Sequence, residues 1–172
     1  VDGRRVTDKE TLNIVISVLA GKVNTEMVNQ LNIIGGKAIG LSGVDDGLIT
    51  AKLKDPTFGF VGEVDKVKSK SIFELVKLGY IPVIAPLCLN TKPKSDDQIL
   101  NVNADSVAGE VARSINCSKL IFVTDVPGVM DLSKRVIPKL VSKQVKKLVK
   151  TSYVSGGMIP KLEACLHSLS KI

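Results

Sequence analysis

Apolar segments of two kinds alternate along this sequence, and the alternation constrains the fold more than any other feature. Short apolar runs such as residues 81–85 and 120–123 are typical of buried strands, whereas residues 104–115 carry apolar side chains at helical spacing. Alternating strands and helices favour a fold in which helices cover both faces of a central sheet. We therefore predict an α/β fold, a three-layer α/β/α sandwich with a mainly parallel central sheet.

Local signals place the element boundaries. Residues 7–10 form a capping box with Thr7 as N-cap, and the helix that follows is predicted to end at Gly21. Asn24 is predicted to cap a second helix, and the Asp-Asp-Gly turn at 45–47 predicts a β-hairpin across residues 38–53. Further strands are predicted at 60–67, 81–85 and 120–123, further helices at 71–78, 104–115, 138–150 and 159–169, and a polar loop at 90–98.

The sequence is basic, with a formal net charge of +7, which raises the question of a nucleic-acid partner. The lysines and arginines are scattered, aromatic residues make up only 3% of the chain, and no nucleic-acid motif is present. We therefore expect small anionic substrates and no nucleic acid. Because no apolar run reaches the roughly 18 residues of a membrane helix, no membrane partner is expected either.

The three cysteines and the single histidine limit metal and redox chemistry. Cys88, Cys117 and Cys165 are widely spaced, and no pair has the spacing of zinc ligands or of a Cys-x-x-Cys motif. We predict buried free thiols in a reducing, cytoplasmic compartment, and no metal held by protein side chains.

Polar residues before the predicted helix 104–115 form the first candidate site. Asn101 and Asn103 alternate, so in an extended segment both amides would point the same way, towards a ligand. Asp105 follows in the first helical turn, where the helix dipole favours a carboxylate. Ordinary N-capping by Asn103 is the alternative interpretation.

A second polar cluster follows the predicted strand 120–123. Thr124 and Asp125 come first, and a Val-Pro-Gly turn then ends at Gly128. Ligands of open α/β sheets collect beyond the carboxyl ends of strands, where such groups can hold a base, a ribose or phosphates. Plain strand-to-helix turns have the same pattern, so this segment alone does not decide between the two.

The third candidate is the segment that opens the last helix. The paired glycines 156 and 157 let the backbone approach a ligand, and Pro160 suits a first helical turn. Lys161 in that turn is unfavourable against the helix dipole, which indicates an anion nearby, with a solvated lysine as the alternative. No Walker A motif occurs, so kinase chemistry here would use another scaffold.

Seven short segments follow one another along the chain, and their combination in this order is highly specific for one protein family. They begin at residues 5, 35, 59, 79, 101, 124 and 155 and read RVTD, GGKAIGLSG, GFVGEV, GYIPVIAP, NVNAD, TDVPGV and SGGMIPKLEA. The ordered set extends over nearly the whole chain. It resembles the amino-acid-kinase family and, within it, the N-acetyl-L-glutamate kinases.

This resemblance implies an enzyme that phosphorylates the side-chain carboxylate of N-acetyl-L-glutamate with ATP, the second step of arginine biosynthesis. Lys161 would meet the transferring phosphoryl group, and Asp105 would orient the phosphate-binding lysines. Arg5, Asn101 and Asn103 would hold the acyl amino acid. The nucleotide pocket would be lined by Thr124, Asp125, Val126, Gly128, Gly157 and Met158.

The resemblance also implies Mg²⁺ bound with ATP, and a hairpin over residues 41–53 that covers the acyl amino acid. It implies two halves of one domain, residues 1–117 for the acyl amino acid and 118–172 for the nucleotide. It further implies a homodimer or hexamer. Members in cyanobacteria and plastids bind the PII signalling protein, so an organellar origin would add that partner and the plastid stroma.

Two departures from the family pattern concern the ends of the chain. The family's N-terminal strand with its Lys-x-Gly-Gly loop, and its last strand, are not in this sequence, so we expect the chain to be part of a longer protein. The alternatives are a sibling kinase for carbamate, aspartate or glutamate, and a non-catalytic kinase-like module of an N-acetylglutamate synthase that serves arginine sensing. The presence of Lys161 and Asp105 favours catalysis.

Overall fold

The secondary structure comes from a computed structural model that describes residues 6–93, 98–131, 133–151, 154 and 156–169. The helices are α1 (Lys9–Val15), α2 (Asn24–Ile33), α3 (Ser69–Lys77), α4 (Ala104–Ser114), α5 (Ser142–Lys150) and α6 (Met158–Leu169). The strands are β1 (Ala38–Ser42), β2 (Ile49–Leu53), β3 (Val61–Val67), β4 (Ile81–Ala85), β5 (Leu87–Asn90) and β6 (Ile99–Val102).

One continuous helix runs from α1 through a π-helical stretch at Ile16–Val23 into α2. The predicted helix end at Gly21 is therefore wrong. The N-cap is Asp8 rather than the predicted Thr7, because the Asp8 carboxylate accepts the Thr11 N–H at 2.8 Å. This hydrogen bond lowers the pKa of Asp8.

Asn24 does not cap a helix but lies inside the continuous one, with helical backbone angles. Its side-chain amide donates to the carbonyl of Val83 at 2.8 Å and to that of Leu41 at 3.3 Å. Gly40 leaves room for it, since a Cβ there would overlap the Asn24 Oδ1. The buried amide thus ties the helix to both β1 and β4, and these tertiary hydrogen bonds outweigh its preference for capping.

The strands form two sheets. β1 and β4 pair in parallel, while β2, β3, β6 and β5 close a ring in which neighbouring ladders alternate between antiparallel and parallel. Three of the five pairings in the described residues are parallel, namely β1–β4, β2–β5 and β3–β6. Together with the helices, this confirms the predicted α/β class with mainly parallel pairing.

The predicted hairpin across residues 38–53 is wrong. β1 joins β4, whereas β2 pairs with β3, from Ile49 opposite Val67 to Leu53 opposite Gly62. The tight turn at Asp45–Gly47 does form, with Asp46 at φ 53°, but it carries the chain from one sheet to the other. An Asp-Gly signal predicts a turn, and the strands that it joins depend on tertiary pairing.

The predicted strand at residues 120–123 forms no β-ladder with any part of the chain that the structure describes. Its Ile121 side chain is 72% exposed and Val123 is 95% exposed. The apolar pattern is typical of a buried strand, so for the described residues the prediction from pattern alone is wrong.

Two apolar clusters form the interior. The larger one contains Leu48, Ile49, Ala51, Ile72, Cys88, Leu100, Val102 and Val107, and the smaller one contains Val145, Val154 and Leu162. They lie on either side of residue 117, although the division of the domain at that point stays a prediction. A fully buried side chain such as Leu100 contributes roughly 1.5–3 kcal/mol of stability. Within the described ranges, every helix is too short or too polar to cross a bilayer.

Candidate functional site

The junction between β6 and α4 holds the first group of candidate residues. Asn101 is half-buried in β6, and its amide nitrogen donates to the Thr7 hydroxyl oxygen at 3.2 Å. Asn103 is the N-cap of α4, where its Oδ1 accepts the Ser106 N–H at 3.1 Å. The two amides have different partners within the chain, and the capping alternative is confirmed for Asn103. A ligand role for either amide stays a prediction.

Thr7 belongs to this region although the sequence pattern does not mark it as a site residue, because its place in the capping box predicts a helix cap. Only 1% of it is exposed. Its backbone N–H donates to the Phe58 carbonyl at 3.0 Å, and its carbonyl accepts the Phe60 N–H at 2.7 Å. The segment RVTD could have identified Thr7, since it also contains the predicted substrate residue Arg5, two positions earlier. Arg5 itself lies outside the described residues.

An ion pair joins the first turns of α4 and α6. The Lys161 Nζ lies 3.0 Å from each carboxylate oxygen of Asp105. The two side chains are only 21% and 17% exposed, so solvent and salt screen this pair less than a surface pair. The ammonium group also lies over the Phe122 ring, 5.9 Å from the ring centroid. The solvated-lysine alternative is therefore wrong, and the anion that Lys161 contacts in this structure is Asp105.

A cavity of about 410 Å³ lies beside this pair. It is formed by two segments that are distant in sequence, residues 124–130 and 154–161. Its lining consists of Thr124, Asp125, Val126, Gly128, Val129, Met130, Val154, Gly157, Met158 and Lys161. The structure thus brings together all the residues that the sequence predicts for the nucleotide pocket, with Lys161 in the same wall.

Local contacts hold the 124–130 segment in place. The Thr124 hydroxyl donates to the Asp125 carboxylate at 3.2 Å, and both residues stay exposed. Gly128 has a φ of 140°, a conformation that side chains disfavour. Val129 and Met130 then pair with the returning chain, the Val129 carbonyl accepting the Ile137 N–H at 2.8 Å. The loop is fixed on one side, while its polar groups remain accessible on the other.

Three lining residues were missed by the sequence reasoning: Val129, Met130 and Val154. Val129 ends the segment TDVPGV, which carried a detectable signal. Val154 has no such signal, because its burial comes from the cluster with Val145 and Leu162. A second cavity of about 440 Å³, between the first helix and β1, shares no lining residue with this one.

The cysteine environments fit the predicted inert thiols at two of the three positions. Burial raises the pKa of Cys88 to about 12. Burial, and then the nearby Asp105 carboxylate, raises the pKa of Cys165. Both thiols are therefore protonated and poorly nucleophilic at neutral pH. In the described parts of the chain, no three His, Cys, Asp or Glu side chains are grouped so as to hold a metal ion.

Comparison with known proteins decides the family. A model described as the amino acid kinase family matches residues 1–171. The chain belongs to the amino acid kinase family. This confirms the resemblance read from the seven segments.

Among amino acid kinases, the chain is similar to curated acetylglutamate kinases. The enzyme of Methanosphaera stadtmanae is 40% identical over 98% of this chain and 61% of that protein. The enzyme of Methanococcus vannielii is 43% identical over 99% of this chain and 62% of that protein. The chain spans about 60% of the length of the curated relatives it matches.

Solved structures share the fold of this chain. The crystal structure of smu.665 from Streptococcus mutans UA159 superposes with a TM-score of 0.87 at 30% identity, covering 98% of this chain and 67% of that one. The N-acetylglutamate synthase of Neisseria gonorrhoeae, complexed with coenzyme A and N-acetyl-glutamate, gives 0.81 at 20% identity, covering 98% and 38%. At 20% identity, the similarity to the N-acetylglutamate synthase shows only that the two proteins share a fold.

Proposed function

We propose that the protein transfers a phosphoryl group from ATP to the side-chain carboxylate of N-acetyl-L-glutamate. The product is N-acetyl-L-glutamyl 5-phosphate, formed in the second step of arginine biosynthesis. One observation carries the proposal: a single cavity combines all the predicted nucleotide residues with Lys161, in a chain whose relatives are named acetylglutamate kinases. Transfer between two anions needs positioning and positive charge rather than a covalent nucleophile.

On this proposal the cavity takes ATP. Its volume of about 410 Å³ suits a small-molecule ligand. Apolar side chains such as Met158 would contact the base, and the Asp125 carboxylate, beside Thr124, would accept hydrogen bonds from the ribose hydroxyl groups. At Gly157 the position of a missing Cβ has nothing within 4 Å, so a ligand can approach the backbone. Mg²⁺ would enter with ATP, held largely by its phosphates, and would neutralise their charge.

The acyl amino acid would bind at the β6–α4 junction. Asn103 uses its carbonyl oxygen for the cap, so its amide N–H groups can donate to a substrate carboxylate or carbonyl. Asn101 donates to Thr7, and its oxygen can accept the acetamido N–H. Arg5 would pair with a carboxylate in the bidentate manner typical of arginine.

The nucleotide site and the acyl-amino-acid site would meet at the Asp105–Lys161 pair. Asp105 lies in the first turn of α4, four residues after Asn101, and its partner Lys161 lines the cavity. The carboxylate would hold the ammonium group at the cavity edge, where negative charge grows as the phosphoryl group moves. A non-catalytic kinase-like module would not require this contact. The homodimer or hexamer, the PII partner and the plastid location stay predictions.

The direct test is substrate selectivity in the full-length protein. The kcat/KM for N-acetyl-L-glutamate should exceed that for free glutamate by about 10²-fold or more, because the Asn101 and Asn103 amides suit an acetamido group rather than an ammonium. Steady-state rates with ATP and each acid measure the ratio. Carbamate and aspartate serve as further substrates. An equal or higher kcat/KM for free glutamate, carbamate or aspartate would identify a sibling kinase instead.

A second expectation concerns the nucleotide half. Replacing Asp125 with alanine should raise the Kd for ATP by roughly tenfold, the typical loss of one hydrogen bond to a charged group. Isothermal titration with each ligand measures the change. Glu163→Ala, which removes an exposed carboxylate of α6 outside the cavity lining, is the matched control and should leave both affinities unchanged. Loss of acetylglutamate affinity with unchanged ATP affinity would reverse the assignment of the two halves.

A further inference from the structure

Helices α4 and α6 pack tightly against each other at Gly109. This residue is buried in α4, and a Cβ added to it would lie 3.0 Å from the Ala164 Cβ and 3.1 Å from the Ala164 Cα and carbonyl oxygen. Ala164 is 5% exposed. Real Cβ atoms seldom come so near their neighbours, because interiors are close-packed and repulsion is steep. The two helix backbones therefore touch here with no side chain of α4 between them.

The same interface carries the Asp105–Lys161 pair. Asp105 precedes Gly109 by four residues and Lys161 precedes Ala164 by three, spacings that place each pair of residues on one helix face. One turn further along α6, His167 Nδ1 lies 2.7 Å from a carboxylate oxygen of Glu110. The contacts follow the same order on both helices, so α4 and α6 run in the same direction. The ion pair and the glycine contact are about one helical turn apart.

We propose that Gly109 is a positioning residue for Lys161. The absence of a side chain at Gly109 sets the separation of α4 and α6, and that separation lets the ammonium group contact both Asp105 oxygens while it lines the cavity. The inference rests on the proposed role of Lys161 in phosphoryl transfer. Gly109 is not among the residues that line the cavity, so we expect it to act through the placement of α6.

A methyl group at position 109 pushes α6 away from α4 by a few tenths of an ångström. Asp105 stays on α4, whereas Lys161, Met158 and Gly157 move with α6. The lysine stem is flexible and can compensate for part of this shift, but the ammonium group is then held less well between Asp105 and the cavity wall. Small displacements of this kind lower rates strongly, because transfer depends on near-attack geometry.

The first experiment measures kinetics of Gly109→Ala in the full-length protein. The kcat should fall about tenfold, while KM for acetylglutamate changes much less. Gly21→Ala is the matched control: it also adds a methyl group within a helix, but the new Cβ has nothing within 4 Å. Its kcat should equal that of the wild type.

A double-mutant cycle separates positioning from general damage to the fold. In a Lys161→Met background, Gly109→Ala should lower kcat very little further, since the group through which it acts is gone. Adding Ala164→Gly to Gly109→Ala should restore part of the rate, because it removes the closest methyl contact. An undiminished loss from Gly109→Ala in the Lys161→Met background would overturn the proposal.

A third readout does not depend on activity. Acetylation of Lys161 by acetic anhydride, followed by mass spectrometry, should be severalfold faster in Gly109→Ala than in Gly21→Ala, because the ammonium group is less firmly held. Ala164→Gly removes a methyl group from the same contact, whereas Gly109→Ala adds one, and it should also change the acetylation rate of Lys161. It replaces Gly109→Ala in the experiment if Gly109→Ala does not fold. An unchanged acetylation rate in the folded variants would overturn the positioning role. A wild-type protein without kinase activity would contradict the proposed function, and the acetylation rates would still test the contact.

Discussion

Replacing Lys161 with methionine in the full-length protein is expected to lower kcat by roughly 10² to 10³, the effect of losing one preorganised electrostatic donor. Negative charge shifts towards the β–γ bridge as the phosphoryl group leaves ATP. The ammonium group therefore contributes more at the transition state than in the ground state, and KM for acetylglutamate should change much less. Steady-state rates at saturating concentrations of both substrates measure the loss.

Methionine is the appropriate replacement because it keeps an unbranched apolar stem beside Phe122 while removing the charge. The substitution leaves the Asp105 carboxylate without its partner, so thermal unfolding should be measured in parallel to separate stability from catalysis. Lys146→Met, on the exposed face of α5, is the control and should behave as the wild type. A near-normal kcat in Lys161→Met would reduce the contact with Asp105 to a structural ion pair.

Asp105→Asn should also act mainly on kcat, with a loss of roughly 10²-fold. Asparagine keeps the size of the side chain but offers only one acceptor oxygen, so it cannot hold the ammonium group at both positions that lie 3.0 Å from Nζ. Combined with Lys161→Met, the loss should be clearly less than the product of the two single effects, because Asp105 works by orienting the lysine. Steady-state kinetics of the single and double variants give the coupling.

Glu63→Gln provides the matched control for this pair. Glu63, on the surface of β3, forms an ion pair with Lys54 at 2.7 Å. Its replacement therefore removes a carboxylate–lysine contact of the same kind, but away from the cavity. Surface pairs of this type contribute little, and kcat should not change. Full additivity between Asp105→Asn and Lys161→Met would show that the two residues act independently.

The predicted nucleotide pocket illustrates what the sequence can predict about the site. Thr124, Asp125 and Gly128 stand in one short segment, and Gly157 and Met158 in another, each at a turn where backbone and polar groups are accessible. Such local chemistry can be read from residue order, and the structure places both segments around one cavity. The burial of Val154 could not be read in this way, since it depends on helices that pack against it.

The wrong predictions have a common physical cause. Local propensity favoured a helix end at Gly21 and a cap at Asn24, but Asn24 instead forms hydrogen bonds to β1 and β4. The Asp45–Gly47 turn formed as predicted, yet its strands took partners elsewhere in the chain. Contacts between distant positions decided both outcomes, and no local pattern contains them.

The separation in sequence of the paired site residues has a consequence for the order of folding. Asp105 and Lys161 stand 56 positions apart, and Asn101 and Thr7 stand 94 apart. Closing such long loops costs entropy before the contacts repay it, so these pairs form only after the flanking elements have folded. A nascent chain that has not yet docked α6 on α4 therefore lacks the paired lysine. Catalytic competence would then arise late, as a property of the completed domain rather than of either half.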